Sequence, residues 1–186
     1  MAYNILDTLK VENIVASVQL CDTIDLAAVS AKIPGADYNK RRFPGIVLRF
    51  DNPKIAALLF SSGKVVLTGA KNPDIIADGV QHLIRLMKEI GVSVSENPEY
   101  SIQNIVTSAD VGKHINLNKT AMILSFDKIE YEPEQFPGLV YRIESPKAVV
   151  LMFGSGKFIV TGSRSQEDAE TAVQKVYDVL SEHSLI

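Results

Sequence analysis

The fold is decided by a stretch of 27 residues that the chain contains twice. The first copy, residues 43–69, reads FPGIVLRFDNPKIAALLFSSGKVVLTG, and the second, residues 136–162, reads FPGLVYRIESPKAVVLMFGSGKFIVTG. Fourteen of the 27 aligned positions are identical without a gap. Similarity at a fixed period indicates an internal duplication, in which each copy is one structural unit.

The duplication extends to both sides of this stretch. VENIVASVQL, from Val11, recurs 91 residues later as IQNIVTSADV, from Ile102, whereas the two FPG blocks are 93 residues apart. The second copy therefore carries a two-residue insertion, which we place in the loop before Phe136. We expect repeats at 11–97 and 98–186. The stretch SENPEY joins them, and because it is short and contains Pro98 we expect the halves to pack together.

Each repeat changes its period in the same order. A β-rich run over Asn13–Leu20 precedes a short helix that begins near Asp25, and three further β-rich runs are broken by NP and SSGK turns. Longer helices are predicted at about 73–90, with Gly91 at the C-cap, and from Ser165 to about Leu180. The prediction is an α+β fold of antiparallel strands joined by tight turns.

Composition places the chain among ordinary folded proteins. It has 186 residues, of which 46% are hydrophobic and 22% charged, with a net charge of −3 and a pI near 5.6. Cys21 is the single cysteine, so an internal disulfide is excluded and a reducing, intracellular compartment is favoured. The N-terminus MAYNILDTLK lacks the pattern of a signal peptide, and we expect a cytoplasmic protein without a membrane span.

The strands are apolar on both alternating faces. IAALLF, KVVLTG, AVVLMF and KFIVTG show this pattern, which is typical of a sheet buried on both sides. Two long and two short helices can cover only one face of about ten strands. Either the other face is an exposed interaction surface, or two sheets pack together as a sandwich and hide it. The strand pattern alone leaves both alternatives open.

The paired NIV runs and the paired FPG…R…PK…L.F.SGK…TG blocks resemble the TATA-box-binding protein family over about 95% of the chain. This resemblance implies one saddle, with a curved sheet of about ten strands and four helices on the convex side. It also implies a general transcription factor, whose concave sheet binds A·T-rich promoter DNA in the minor groove and kinks it. The acidic pI and the absence of a long low-complexity N-terminal arm are closer to the archaeal branch.

The resemblance assigns residues to two DNA-facing roles. The wedges that would enter between base steps are Phe43, Phe60, Phe136 and Phe153. A lone strand phenylalanine is usually core, but these recur at the same motif positions in both copies. The minor-groove floor would comprise Asn13, Val15, Leu58, Val66 and Thr68 in the first repeat, and Asn104, Val106, Leu151, Ile159 and Thr161 in the second. An apolar floor could not satisfy the amino group of guanine, so selectivity for A·T pairs follows.

Charged residues differ between the repeats. Family matches imply phosphate contacts for Arg41, Arg42, Arg49, Ser62, Lys64, Arg142, Ser155 and Lys157. Residues 11–97 carry ten Lys/Arg and nine Asp/Glu, whereas residues 98–186 carry eight and twelve. The difference concentrates before the FPG motifs, in YNKRRFPG and YEPEQFPG. In the family this second turn receives transcription factor B, which here implies docking at Glu132, Glu134 and Gln135 and indirect recruitment of RNA polymerase.

One position departs from the family pattern. Glu12 stands where many relatives have Gln, as Gln103 does in the second repeat, and a carboxylate near DNA is unfavourable.

The resemblance also implies a localisation: the protein is expected at the nucleoid, or in the nucleus if the source is eukaryotic.

The sequence motifs argue against an enzyme. GSGK at 154–157 resembles a phosphate loop, but GxxxxGK[ST] needs Gly in place of Leu151 and Ser or Thr in place of Phe158. His82, His114 and His183 lack metal-ligand spacing, so neither a metal nor another cofactor is expected. The alternative from another class is a two-repeat sheet protein whose apolar face closes a homodimer or binds an apolar ligand. A homodimer in the absence of DNA is compatible with both readings.

Overall fold

The computed structural model describes residues 3–124 and 128–186, which form two compact units. One unit comprises residues 13–103, and the other comprises the described residues of 3–12 and 104–186. The described residues contain four α-helices and nine strands. Each unit is built from antiparallel strands with two helices.

The unit of residues 13–103 contains most of the first repeat. Its strands are β1 (Lys10–Gln19, of which residues 13–19 belong to this unit), β2 (Gly45–Asp51), β3 (Lys54–Phe60) and β4 (Lys64–Ala70), in the order β2-β3-β4-β1. Its helices are α1 (Leu26–Lys32) and α2 (Pro73–Glu89). The NP and SSGK turns lie between β2, β3 and β4, as the sequence predicts.

The second unit repeats this plan. Its strands are β5 (Tyr100–Asp110, of which residues 104–110 belong to this unit), β6 (Ile129–Glu130), β7 (Leu139–Glu144), β8 (Lys147–Met152) and β9 (Lys157–Ser163), in the order β5-β9-β8-β7-β6. Its helices are α3 (Leu117–Ile123) and α4 (Gln166–Glu182), and a 3₁₀ turn at Ile5–Thr8 precedes β1.

Comparison of the two units narrows the position of the predicted two-residue insertion in the second repeat. Leu124 still has a spacing of 91 from Ile33, since both are the C-caps of the short helices. Glu130 pairs with Val140 as Asp37 pairs with Val47, which is a spacing of 93. The insertion therefore falls between Leu124 and Glu130, and residues 125–127 of that stretch lie outside the described residues.

The helix ends follow from their capping residues. The side chains of Asp25, Asn72, Asn116 and Ser165 each accept a hydrogen bond from the backbone N–H three residues later. This satisfies a donor that the first helical turn leaves without an intrahelical partner. Gly91 follows α2 with φ +84°, the left-handed conformation that glycine adopts without strain. The predicted helix starts are confirmed.

Alternate strand residues separate into a buried and a half-exposed set. In β3, Ile55, Ala57 and Leu59 are buried, and in β8, Ala148 and Val150 are buried. Helices α2 and α4 cover that side with their own buried apolar residues. The intervening strand residues stay half-exposed in both units. We call this half-exposed side the open face of each unit, and the sandwich alternative, which would bury both sides, is wrong.

None of the helices within the described residues is long and apolar enough to cross a membrane.

Candidate nucleic-acid interface

The four candidate wedge residues form one aromatic pair in each unit. Phe43 and Phe60 have ring centroids 5.6 Å apart at an interplanar angle of 61°, and Phe136 and Phe153 are 5.9 Å apart at 69°. Both pairs have the edge-to-face arrangement that aromatic rings prefer. Phe136 is 39% exposed, and the other three are half-buried. The pairs therefore present ring surface to solvent at matching places.

The glycine of each FPG motif makes room for these rings. A Cβ on Gly138 would lie 2.7 Å from Cε1 of Phe136 and 3.1 Å from Cε1 of Phe153. A Cβ on Gly45 would lie 2.6 Å from the carbonyl oxygen of Leu59 and 3.0 Å from Phe43. The motif analysis did not single out these two glycines as part of the candidate site, although their recurrence in both copies is a signal that could have found them.

The first-repeat floor residues share the open face of their unit. Leu58 lies opposite Val66 in the pairing of β3 with β4, and Ala56 lies opposite Thr68. Asn13, Val15, Leu58, Val66 and Thr68 are all half-exposed. The structure therefore brings these predicted residues together on one surface.

Hydrogen bonds fix the side chain of Asn13 on that surface. Its Oδ1 accepts from the backbone N–H of Gly69 at 2.7 Å, and its Nδ2 donates to Oγ1 of Thr68 at 3.1 Å. Because a backbone N–H can only donate, the oxygen and nitrogen of the amide are assigned without ambiguity. An amide nitrogen has two hydrogens, so Asn13 keeps one donor for another partner.

A β-bulge provides the N–H that orients this amide. The register between β1 and β4 shifts between Ile14 and Ala16, so that the single residue Val15 lies opposite two residues of β4, Thr68 and Gly69. Gly69 has φ +101°. Glycine adopts this conformation at little cost, which explains the TG dipeptide at the end of the strand.

The second unit repeats the same floor. Oδ1 of Asn104 accepts from the N–H of Gly162 at 2.7 Å, and its Nδ2 donates to Oγ1 of Thr161 at 3.0 Å. Gly162 has φ +88° beside the matching register shift, and Leu151 lies opposite Ile159. The predicted residues Asn104, Val106, Leu151, Ile159 and Thr161 are again half-exposed.

The candidate phosphate ligands are all exposed, but two of them are already paired. Arg42 contacts Asp37 at 3.1 Å and Arg142 contacts Glu130 at 3.1 Å, in exposed ion pairs. Exposed pairs contribute at most about 1 kcal/mol, so a phosphate can displace either carboxylate. The exposed candidates are Arg41, Arg42, Arg49, Ser62, Lys64, Arg142, Ser155 and Lys157.

The two matched lysines have different cross-strand neighbours. Lys64 lies opposite Gln19 in the pairing of β1 with β4, whereas Lys157 lies opposite Asp110 in the pairing of β5 with β9. A carboxylate opposite Lys157 offsets part of its positive charge. The electrostatic attraction for an anion is therefore weaker at Lys157 than at Lys64.

The turn before the second FPG motif, residues 131–136, has the same backbone hydrogen bonds as the turn before the first, residues 38–43. We call the former the acidic turn and the latter the basic turn. The N–H groups of Gln135 and Phe136 both donate to the carbonyl of Glu132, as those of Arg42 and Phe43 donate to the carbonyl of Asn39. Glu132, Glu134 and Gln135 are exposed. The two turns thus differ in charge and keep one shape.

Glu12 and Gln103 occupy equivalent positions with opposite hydrogen-bonding roles. Oε1 of Glu12 accepts from Oγ of Ser108 at 2.7 Å, while Nε2 of Gln103 donates to Oγ of Ser17 at 2.9 Å. Both side chains are exposed. The carboxylate of Glu12 therefore lies beside a strand that carries predicted floor residues.

Three features of the described residues bear on an enzymatic function. No group of three or more His, Cys, Asp or Glu residues in 3–124 and 128–186 could hold a metal ion. The GSGK segment is a turn that runs into β9, whereas a phosphate loop would run into a helix. Burial raises the pKa of the Cys21 thiol, which disfavours the reactive thiolate.

Comparison with known proteins identifies the family. The family model described as "Transcription factor TFIID (or TATA-binding protein, TBP)" matches twice, over residues 8–90 and 99–183. The chain is 51% identical to the TATA-box-binding protein of Archaeoglobus fulgidus over 172 residues, which cover 92% of this chain and 94% of the relative. It is 47% identical to TATA-box-binding protein E of Halobacterium salinarum, with 97% of both chains covered.

A solved structure shows the same fold. The structure of Methanococcus jannaschii TBP superposes with a TM-score of 0.85 at 46% identity, covering 94% of this chain and 98% of that one. The chain belongs to the TATA-binding protein family. The predicted fold class, α+β with four helices and a repeated antiparallel sheet, is confirmed, with nine strands in the described residues.

Proposed function

We propose that this chain is a general transcription initiation factor that binds TATA-box promoter DNA in the minor groove, bends it and recruits transcription factor B. Its relatives are named TATA-box-binding proteins, and the family model matches it twice. The proposed TATA-binding repeats are residues 11–97 and 98–186. Neither a cofactor nor catalysis is part of this proposal.

The observation that carries the proposal is the recurrence of a partly exposed phenylalanine pair in each repeat. Phe43 with Phe60, and Phe136 with Phe153, are held edge to face beside an uncovered apolar strand face. A ring inserted between base steps loses DNA stacking but buries its exposed area, which favours flexible pyrimidine–purine steps. Bending by insertion at both repeats follows from this arrangement.

Selectivity for A·T pairs follows from the hydrogen-bonding state of the floor. The carbonyl oxygens of the Asn13 and Asn104 side chains are occupied by backbone N–H groups, so each amide offers a donor. The minor groove of A·T pairs presents only acceptors, whereas guanine adds a donor. Leu58, Leu151 and their apolar neighbours cannot accept a hydrogen bond from that guanine amino group.

The phosphate contacts position the protein without reading bases. We assign this role to Arg41, Arg42, Arg49, Ser62, Lys64, Arg142, Ser155 and Lys157, all of which are exposed. Arg42 and Arg142 must exchange a carboxylate for a phosphate, so we expect each of them to add less to the free energy of binding than a basic residue that gives up no ion pair.

The acidic turn is the proposed docking site for transcription factor B. Glu132, Glu134 and Gln135 project from a turn whose backbone matches the basic turn of the first repeat. Carboxylates beside a DNA-facing wedge repel phosphate, so a protein partner with basic groups suits them better. RNA polymerase is then reached indirectly through that factor.

In the absence of DNA, the open faces favour a homodimer. Each exposes apolar strand residues that have no cover within their own unit, and such surfaces associate in water. Sedimentation of the free protein over a range of concentrations would detect the dimer, and added duplex should dissociate it. The proposed location of the DNA-bound protein is the nucleoid.

A paired binding experiment tests the proposed function. The protein is titrated against A·T-rich and G·C-rich duplexes of equal length, with dyes at both duplex ends. We expect the A·T-rich duplex to shift in the gel at a lower protein concentration than the G·C-rich duplex. Energy transfer should increase in the bound complex, because the bend brings the duplex ends closer together. Equal affinity for both duplexes, or an unchanged end-to-end distance in the bound complex, would refute it.

A further inference from the structure

The buried side of the second repeat contains a hydroxyl group without a partner. Oγ1 of Thr107, in the middle of β5, has no hydrogen-bond partner among the residues that the structure describes, and Thr107 is only 2% exposed. A buried hydroxyl that makes no hydrogen bond is unfavourable, so native proteins nearly always satisfy it. Thr107 therefore requires a partner that the neighbouring side chains do not supply.

Thr107 lines a small cavity under the first turn of α4. The cavity has a volume of about 30 Å³ and is bounded by Leu9, Val11, Thr107, Gln166, Ala169 and Glu170. A water molecule needs roughly 10–15 Å³ measured this way, together with two to four polar neighbours. Thr107, Gln166 and Glu170 provide three, and the last two are already joined by a hydrogen bond of 2.8 Å.

The equivalent contact between helix and sheet in the first repeat has no polar side chains. The positions equivalent to Thr107, Gln166, Ala169 and Glu170 are occupied by Ala16, Pro73, Ile76 and Ala77. The helices α2 and α4 have the same length of 17 residues, so these positions correspond directly. Three apolar residues are thus replaced by hydrogen-bonding ones, and the bulky isoleucine is replaced by alanine, which leaves space.

We propose that the cavity under α4 binds one ordered water molecule, which joins Thr107 of the sheet to the Gln166–Glu170 turn of the helix. The water accepts from or donates to the threonine hydroxyl and donates to the carboxylate of Glu170. The second repeat therefore attaches its long helix through a hydrated contact, whereas the first repeat uses a dry apolar one. The site lies on the reverse side of the strand that carries Asn104 and Val106, and it does not depend on DNA binding.

The change Thr107→Val gives opposite results for a hydrated and a dry cavity. Valine keeps the shape of threonine but cannot bind water. If water is present, the variant loses its hydrogen bonds and the midpoint of thermal unfolding falls by roughly 2–4 °C. If the cavity is dry, removing an unsatisfied hydroxyl raises the midpoint instead, and the proposal is wrong.

Ser163→Ala is the matched control. Oγ of Ser163 is also buried and has no partner within residues 3–124 and 128–186, but Ser163 does not line the cavity, and its first-repeat equivalent is Ala70. Removal of the Ser163 hydroxyl should leave the midpoint of thermal unfolding unchanged or raise it. A fall as large as that of Thr107→Val would show that the measurement does not report on the water.

Direct observation completes the test on the unaltered chain. A crystal structure at atomic resolution should show density within hydrogen-bond distance of Oγ1 of Thr107, and NMR should detect magnetisation transfer from water to the amides near Ala169. Ala169→Val, which fills the cavity, should abolish both signals. Absence of density and of transfer in the unaltered protein would overturn the proposal whatever the stability of the variants.

Discussion

Replacing Phe153 by alanine should remove DNA bending while leaving the protein folded, because the structure places this ring at the surface of its unit. Phe153 is half-buried and contacts Phe136 edge to face, with centroids 5.9 Å apart. Phe158, five residues later on β9, is fully buried at 0% exposure. The two phenylalanines therefore form a matched comparison within one hairpin.

The expected cost in stability follows from these contacts. Full burial of a phenylalanine side chain contributes about 1.5–3 kcal/mol, and a half-buried ring contributes about half of that. Loss of the aromatic pair adds about 0.5–1.5 kcal/mol. We therefore expect Phe153→Ala to lower the free energy of unfolding by about 1–3 kcal/mol. Phe158→Ala should cost about 3–5 kcal/mol, because it creates a cavity in the core.

Thermal unfolding and energy transfer together check this prediction. For a chain of this size each kcal/mol corresponds to about 2–4 °C in the unfolding midpoint. Phe153→Ala should therefore unfold at a clearly higher temperature than Phe158→Ala, and its complex with A·T-rich duplex should show little end-to-end approach. Equal destabilisation by the two changes would refute the reasoning, since Phe153 would then be a core residue. Normal bending by a folded Phe153→Ala protein would exclude the ring as a wedge.

Three further predictions concern the charged residues around the open faces. Lys64→Ala and Lys157→Ala should each weaken binding to every duplex and reduce the slope of log affinity against log salt by about one; a slope that neither change alters would remove these lysines from the interface. Reversal of both Glu132 and Glu134 to Arg should abolish a ternary complex with transcription factor B while DNA binding persists or tightens. A supershift assay measures this, and an undiminished ternary complex would place the docking site elsewhere. Glu12→Gln should tighten DNA binding by a few-fold, the size of an exposed charge interaction of about 0.2–1 kcal/mol, and a titration that shows weaker binding would contradict it.

The sequence alone predicted the main strands and helices of each repeat, although not the short strand β6 or the 3₁₀ turn at Ile5–Thr8. The strands around NIV, the three runs after FPG and the helices after Asp25, Asn72 and Ser165 are all observed at the predicted places. These features depend on local chemistry: the period of apolar residues, the turn preference of NP and SSGK, and the oxygen atoms of capping side chains. Because such signals act over a few residues, they can be read without the tertiary structure.

The strand pattern could not decide whether one or both faces of the strands are buried. IAALLF and AVVLMF are apolar at every position, so their period carries no information about which residues face the helices. Only the packing of α2 and α4 distinguishes Leu59, which is buried, from Leu58, which stays half-exposed.

The contacts that make up the candidate interface depend on strand register. Phe43 and Phe60 are 17 positions apart in the chain and meet because Gly45 lies opposite Phe60 in the pairing of β2 with β3. The Asn13 amide is oriented by the N–H of Gly69, which a bulge 56 residues away presents to it. Register is a property of two strands packed together, and a shift of one residue moves every side chain to the other face. The residue types at these sites are therefore visible in the sequence, whereas their pairing and their free donors are decided by the tertiary structure.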